Sequence, residues 1–170
     1  MNKKLYNEIN DYIPYNEQEI NDRKLMLKFI EKFDDVLTRN NEFGHFVTSA
    51  WIVNKERTKV LMVYHNIYNS WSWVGGHADG EENLLEVCKR EITEETGFNN
   101  IKLISDGIMG LSINAVKSHF KKGKFVSSHL HYDIVYLFEA DESETTIINE
   151  DENSGVKWIS TENVLDEINE

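Results

Sequence analysis

At 170 residues the chain is long enough to bury a full core and short enough to be one domain. Apolar residues make up 40% and charged residues 28%, a soluble globular balance, and no apolar run approaches the roughly 18–20 residues of a membrane span. The formal net charge of −12 repels a nucleic-acid backbone, so neither polymeric DNA or RNA nor a membrane is the expected partner. A small anionic substrate stays compatible, because bound divalent cations reverse the sign of a local field. Cys88 is the only cysteine, which excludes an internal disulfide and a cysteine-rich metal cluster. The basic start Met1-Asn2-Lys3-Lys4 has no apolar stretch after it, so no signal peptide and a cytoplasmic location are expected.

In chain order, the single proline, Pro14, is expected to close a short first segment. Asn16 then offers a helix cap with Glu19 three residues on, the spacing of a capping box. Leu25, Met26, Phe29, Ile30, Phe33, Val36 and Leu37 follow on one helical face, with Lys24, Lys28, Glu31, Lys32 and Asp35 opposite. The mixed charge favours packing on the protein body over a membrane surface. The expectation is one domain, 1–170, with a helical extension at 1–42 packed on a core at 43–170.

From His45 the period changes. Residues 46–53 and 59–64 are rich in Val, Ile, Trp and Tyr and read as strands, with a turn at Asn54-Lys55-Glu56-Arg57 between them. Residues 71–74 read as a short strand ended by Gly75-Gly76, and 82–96 as a helix closed by Gly97. Strands are expected at 101–113, at 129–139, where Leu130, Tyr132, Ile134, Tyr136 and Phe138 alternate with other residues, and at 155–159. A short helix at 162–168 closes the chain. Helices before, within and after the strands point to an α/β fold with a sheet covered on both faces.

The chemistry concentrates in residues 76–98. On a helix Glu91, Glu94 and Glu95 stand at i, i+3 and i+4, so three carboxylates crowd one stripe. Like charges at that spacing destabilise a helix unless a cation sits among them. An all-carboxylate set favours hard ions, Mg²⁺ or Mn²⁺ among them, and Mg²⁺ commonly bridges carboxylates to substrate phosphates. Leu85, Cys88 and Ile92 make an apolar stripe about 100° away, which lets the helix pack while the carboxylates face a cleft. Arg90 lies four residues from both Glu86 and Glu94 and so can hold a carboxylate in place, while Glu82, Glu86, Lys89 and Thr93 fall on the solvated side. Asp79-Gly80 supplies a tight turn before the helix.

This stretch resembles the Nudix box: a glycine (Gly76), five residues, a glutamate (Glu82), seven residues, then Arg90-Glu91-Ile92-Thr93-Glu94-Glu95-Thr96-Gly97-Phe98 with apolar residues at Ile92 and Phe98. Every defined position matches, and a chance match in a chain of this length is on the order of one in a million. The resemblance implies an α/β/α sandwich with a mixed β-sheet, to which the N-terminal amphipathic helix is an addition. It implies hydrolysis of a nucleoside diphosphate linked to another moiety, with Mg²⁺, or Mn²⁺ as a substitute. Carried over by residue, Glu91, Glu94 and Glu95 would be metal ligands, together with the carbonyl of Gly75 or Gly76. Glu91 would also be a candidate base and Arg90 its positioning partner. A late-loop carboxylate often joins such a site; Glu152 is the first candidate and Glu150 the second. The proline that many relatives carry before the double glycine is replaced by Val74, which removes no ligand.

Plainer readings stand beside these. A Glu-x-x-Glu-Glu run by itself is usually a solvated face; here the glycine spacing, Arg90 and the apolar stripe argue against that. His129, His131 and Asp133 alternate on one strand, which is more often a polar strand face than a metal site, with His131 a candidate to line the substrate. Of the aromatics Phe46, Trp51, Trp71, Trp73 and Tyr132, Trp73 is nearest the box glycines and is the candidate to stack a base; most large aromatics are core or rim. Cys88, on the apolar stripe, reads as packing, which argues against the cysteine-dependent isomerases of the superfamily.

The family's substrate signals are missing. No proline stands near Ser112, as the ADP-ribose type would have, and Ile113, Asn114 and Ala115 are not the tyrosine of many dinucleoside-polyphosphate types. The NADH-type and coenzyme A signatures are also absent. The expected partner is a small nucleotide-type molecule. A non-catalytic nucleotide sensor on the same fold is the alternative, although a retired hydrolase often loses a ligand glutamate or the arginine. A general interaction domain built on the helix at 25–37 has only that helix in its favour, and a homodimer is left open.

Overall fold

The computed structural model of the protein describes residues 1–66, 69–121 and 123–168. Its elements in chain order are α1 (Lys3–Asp11), α2 (Glu17–Lys32), β1 (Gly44–Val53), β2 (Lys59–His65), β3 (Ser70–Ser72), β4 (Val74–His77), α3 (Leu84–Thr96), β5 (Lys102–Leu103), β6 (Gly110–Val116), β7 (His119–Lys121), β8 (Lys124–Val126), β9 (His129–Glu139), β10 (Asn153–Ser160) and α4 (Val164–Glu167). None of the described helices is long and apolar enough to cross a membrane. The chain divides into two compact units.

The first unit comprises Met1–Thr48, His77–Leu84 and Ile108–Val135. Asn16 caps α2 as expected, its side chain accepting from the Glu19 amide at 2.9 Å. Glu19 does not complete a capping box, however. Its carboxylate accepts from the Tyr15 amide, the Tyr12 hydroxyl and the Leu111 amide of β6. Asp22, one turn on, accepts from the Ile113 amide at 3.2 Å. Two carboxylates of α2 thus satisfy alternate amides of β6 on the side away from its partner β9, which blunts an otherwise open strand edge. The α2 helix ends at Lys32, earlier than its apolar pattern implied. Met26, Phe29 and Ile30 are buried from the helix, whereas Val36 and Leu37 are buried from the loop after it and Leu25 is exposed. Phe29 stacks on Tyr132 at 4.2 Å between ring centroids and both lean on Phe46, so these aromatics are core.

The second unit comprises Ser49–Gly76, Leu85–Gly107 and Tyr136–Glu170. Across it the strands lie in the order β10-β2-β1-β9-β5, with β3 on β2. The pairs β10/β2, β2/β1, β2/β3 and β5/β9 are antiparallel. Strands β1 and β9 run the same way: Thr48 bonds to Ile134, and five residues on Val53 bonds to Ala140 six residues on. The sheet is therefore mixed, in the α/β class expected. The Asn54–Arg57 turn forms because the Asn54 side chain accepts from the amides of Thr58 and Lys59.

Three further expectations are corrected. Gly75 and Gly76 lie inside β4, not after a strand, and the segment 71–74 is split between β3 and β4. The stretch 101–113 is two strands, because Gly107 adopts a positive φ between them. The apolar face of α3 is Leu84, Val87, Cys88 and Ile92, with Leu85 only half-buried, and the helix starts at Leu84, two residues after Glu82. The β7/β8 hairpin had no expectation at all; its short strands expose Phe120 and Phe125.

Candidate active site

The site grows from α3 in the second unit. Gly97, at φ +81, ends the helix, and its amide bonds back to the Thr93 carbonyl at 2.9 Å. That stop places Glu95 in the last turn, where burial of Ile92 and Cys88 on the helix draws it inward: Glu95 is only 3% exposed. Its Oε1 accepts from the Gly75 amide of β4 at 3.1 Å. Burial, reinforced by Glu152, Glu91 and Glu94 and opposed by the Gly75 amide, pushes Glu95 up to about 8.

Glu91, one turn earlier, has a side chain only 13% exposed. A Cβ added at Gly76 would overlap its carboxyl group, so any side chain there displaces the Glu91 carboxylate from its present position. Burial and then Glu94 and Glu152 raise the Glu91 pKa, while Arg90 pulls it down. Arg90 stands between two carboxylates, 3.5 Å from Glu91 and 3.8 Å from Glu94, and Glu86 pairs instead with Lys89.

One carboxylate oxygen each from Glu91, Glu95 and Glu152 lies within 4.8 Å of the other two. Glu152 comes from the turn before β10, and the exposed Glu150 is outside this close group. Glu94 is also outside it, turned to solvent and to Arg90. Next to Glu152, Asn153 is fully buried and donates its Nδ2 to the Glu95 carbonyl at 3.1 Å, joining the turn to the end of α3. Sequence reasoning missed Asn153; a buried amide beside a candidate ligand has no periodic signature. Trp73 lies on the same unit, 39% exposed and 6.5 Å from Trp51 between centroids, while Trp71 packs on Tyr64. His131 belongs to the first unit, close to His45, His77 and His129 and not in a set with Asp133.

Three buried or converging carboxylates beside a backbone glycine pair make an oxygen-only donor set. A carboxyl group pushed up to about 8, first by burial and then by like-charged neighbours, is what such a set looks like without its counter-charge. The residues therefore fit a hard divalent ion.

A NUDIX domain model matches residues 44–170. Among curated proteins, mRNA-decapping enzyme subunit 2 of Saccharomyces cerevisiae is 37% identical over 84 residues, 48% of this chain but only 9% of that protein. The chain thus spans a small part of the first relatives it matches. A probable DHNTP pyrophosphohydrolase of Lactococcus lactis subsp. cremoris is 24% identical over 151 residues, covering 86% of this chain and 84% of that one. Among solved structures, the E. coli dihydroneopterin triphosphate pyrophosphohydrolase superposes with a TM-score of 0.57 at 13% identity, over 74% of this chain and 86% of that one, a likeness of fold.

Proposed function

The chain belongs to the NUDIX family, and on that premise we propose that it is a metal-dependent pyrophosphohydrolase acting on a small nucleotide-type substrate. The observation that carries the proposal is the convergence of Glu91, Glu95 and Glu152 within 4.8 Å, with the Glu91 carboxylate in the space a side chain at Gly76 would fill. Glu91, Glu95 and Glu152, with a carbonyl of Gly75 or Gly76, would hold Mg²⁺ or Mn²⁺; Glu94 joins them only by turning away from Arg90. When bound, such an ion neutralises diphosphate charge and makes water a better nucleophile.

The residues themselves do the rest. Glu91 accepts the proton of the attacking water, its basicity raised by burial and trimmed by Arg90. Arg90 is a positioning residue that fixes the Glu91 and Glu94 carboxylates relative to each other. Glu152 is a second acceptor for that proton, held by the turn whose amides bond to Asn149. Trp73 offers an exposed ring face for a base. A pyrophosphate linkage is the bond cleaved; the L. lactis relative, a probable DHNTP pyrophosphohydrolase, supports that reaction class.

The test is phosphate and pyrophosphate release, with and without Mg²⁺, across nucleoside triphosphates, pterin triphosphates, nucleoside diphosphate sugars and dinucleoside polyphosphates. Metal-dependent cleavage of one class, lost in Glu95→Gln, is the expected result. Tight nucleotide binding with no cleavage of any class would replace the enzyme with a sensor.

A further inference from the structure

Four of the six histidines gather in the first unit, from three segments distant in sequence. His45 opens β1, His77 closes β4, and His129 and His131 stand on one face of β9. Ring centroids are 5.1 Å apart for His45 and His77, 5.0 Å for His45 and His131, and 4.9 Å for His77 and His131. One ring nitrogen from each of these three lies within 4.8 Å of the others. His129 closes the group, 5.1 Å from both His45 and His131 between centroids.

An ordinary packed cluster of imidazoles would satisfy its nitrogens with backbone groups. His45 is 4% exposed, and at most one of its two ring nitrogens is met by a backbone group, at Asn41. A buried ring nitrogen without a partner is costly, and the bare nitrogen of a neutral imidazole calls for a donor or a metal ion at its one lone pair. Burial, helped by neighbouring histidines and Arg39, holds His45, His131 and His77 below the usual imidazole range, with Asn41 and Asp79 opposing it at His45. The charged groups nearby are Arg39, Asp79 and Lys121. Asp79 clamps Arg39 in a two-point pair at 2.7 and 2.6 Å, which offsets that cation's field.

His129 shows the second feature of a ligating imidazole. Its Nδ1 is 2.8 Å from the Ser127 carbonyl, which assigns the proton to Nδ1 and leaves Nε2 bare. That Nε2 is 3.3 Å from Nε2 of His131. Ligand nitrogens of a tetrahedral ion with metal–nitrogen bonds of about 2.0–2.1 Å stand about 3.3–3.4 Å apart. Among His45, His77 and His131 the ring nitrogens lie within 4.8 Å of one another.

We propose that His45, His77 and His131, with His129 as the fourth member, form a binding site for one borderline transition-metal ion, Zn²⁺ foremost, separate from the carboxylate site. Imidazole donors select such ions over Mg²⁺, which prefers oxygen. The ion would tie together β1, the end of β4 and β9 within the first unit.

The test uses the full chain stripped with chelator and then held in excess Mg²⁺ while Co²⁺ is added. The expected result is one equivalent of Co²⁺ with the intense visible bands of a tetrahedral site, displaced by Zn²⁺ and retained in Glu95→Gln. His77→Gln and His131→Gln are each expected to weaken binding about 100-fold or more, as loss of one ligand in four does. A wild-type protein without the tetrahedral bands, or bands lost in Glu95→Gln, would overturn the site. NMR of the wild type supplies a second readout that does not depend on a histidine variant folding. Zn²⁺ should shift the ring resonances of His45, His77, His129 and His131 and leave His65 and His119 in place; the reverse pattern also overturns it.

Discussion

The two units bury like groups in opposite chemical senses. In the second, Glu91, Glu95 and Glu152 converge, and burial with mutual repulsion drives the Glu95 carboxyl towards its protonated form. In the first, His45, His77 and His131 converge, and the same two causes drive the imidazoles towards their unprotonated form. Burial disfavours charge in both cases, but the neutral state of a carboxyl group cannot ligate well, whereas the neutral state of an imidazole can. Metal binding at neutral pH should therefore release a proton from the carboxylate site and none from the histidines. The difference also separates the ions: hard Mg²⁺ for oxygen, a borderline ion for nitrogen.

The strongest way to break this comparison is Glu95→Gln. It is expected to lower kcat/KM by about 10³-fold or more, with circular dichroism unchanged and Mg²⁺ affinity reduced in calorimetry. Full activity would remove Glu95 from the site. Gly76→Ala pushes on the Glu91 carboxyl and is expected to cost about 10²-fold in kcat, the scale of an ångström misplacement of a reacting group. Glu152→Gln should cost about tenfold if it assists as a second acceptor, and no loss at all leaves the proton to Glu91.

A smaller effect sharpens the comparison through pH. In metal-free protein the native Glu95 keeps a proton between its ordinary 4.5 and about 8 that the unfolded chain has released, so its contribution makes stability fall as pH rises through that window. The histidines act the other way. Between about 4 and their ordinary 6.5 the unfolded chain binds protons that native His45 does not, and His131 and His77 extend this lower, so stability rises with pH there. Thermal melts from pH 4 to 8 should show both limbs, with the alkaline decline flattened in Glu95→Gln by several degrees. A decline unaltered by that substitution would refute the assignment to Glu95. The smallest expected change is Cys88→Ala: turnover kept and stability reduced by about 1 kcal/mol through a small cavity at a fully buried position. Lost turnover in a folded variant would give the cysteine a role beyond packing.

What could be read along the chain was whatever has a local period or a local spacing. The β9 strand, the Asn16 cap, the Asn54 turn, the helix stop at Gly97 and the glutamate spacing of α3 all rest on neighbours within a few residues, so they were legible in the sequence. The ends of elements were less so. Val36 and Leu37 sustain the apolar rhythm of α2 yet are buried from a loop, because burial does not depend on continuing the helix.

The family, the α/β class and the helix that carries the glutamates are written in local order along the chain. Which acids meet depends on how the chain folds back on itself. Glu152 joins Glu91 and Glu95 from a turn some sixty residues away, Glu94 is drawn off by Arg90, and Asn153 pins the end of α3. The tertiary structure also replaced the strand pattern His129-His131-Asp133 with a group drawn from β1, β4 and β9. The physical reason is the same for both: charge and lone pairs interact through space at a few ångströms, and chain separation carries no information about that distance until the backbone has folded.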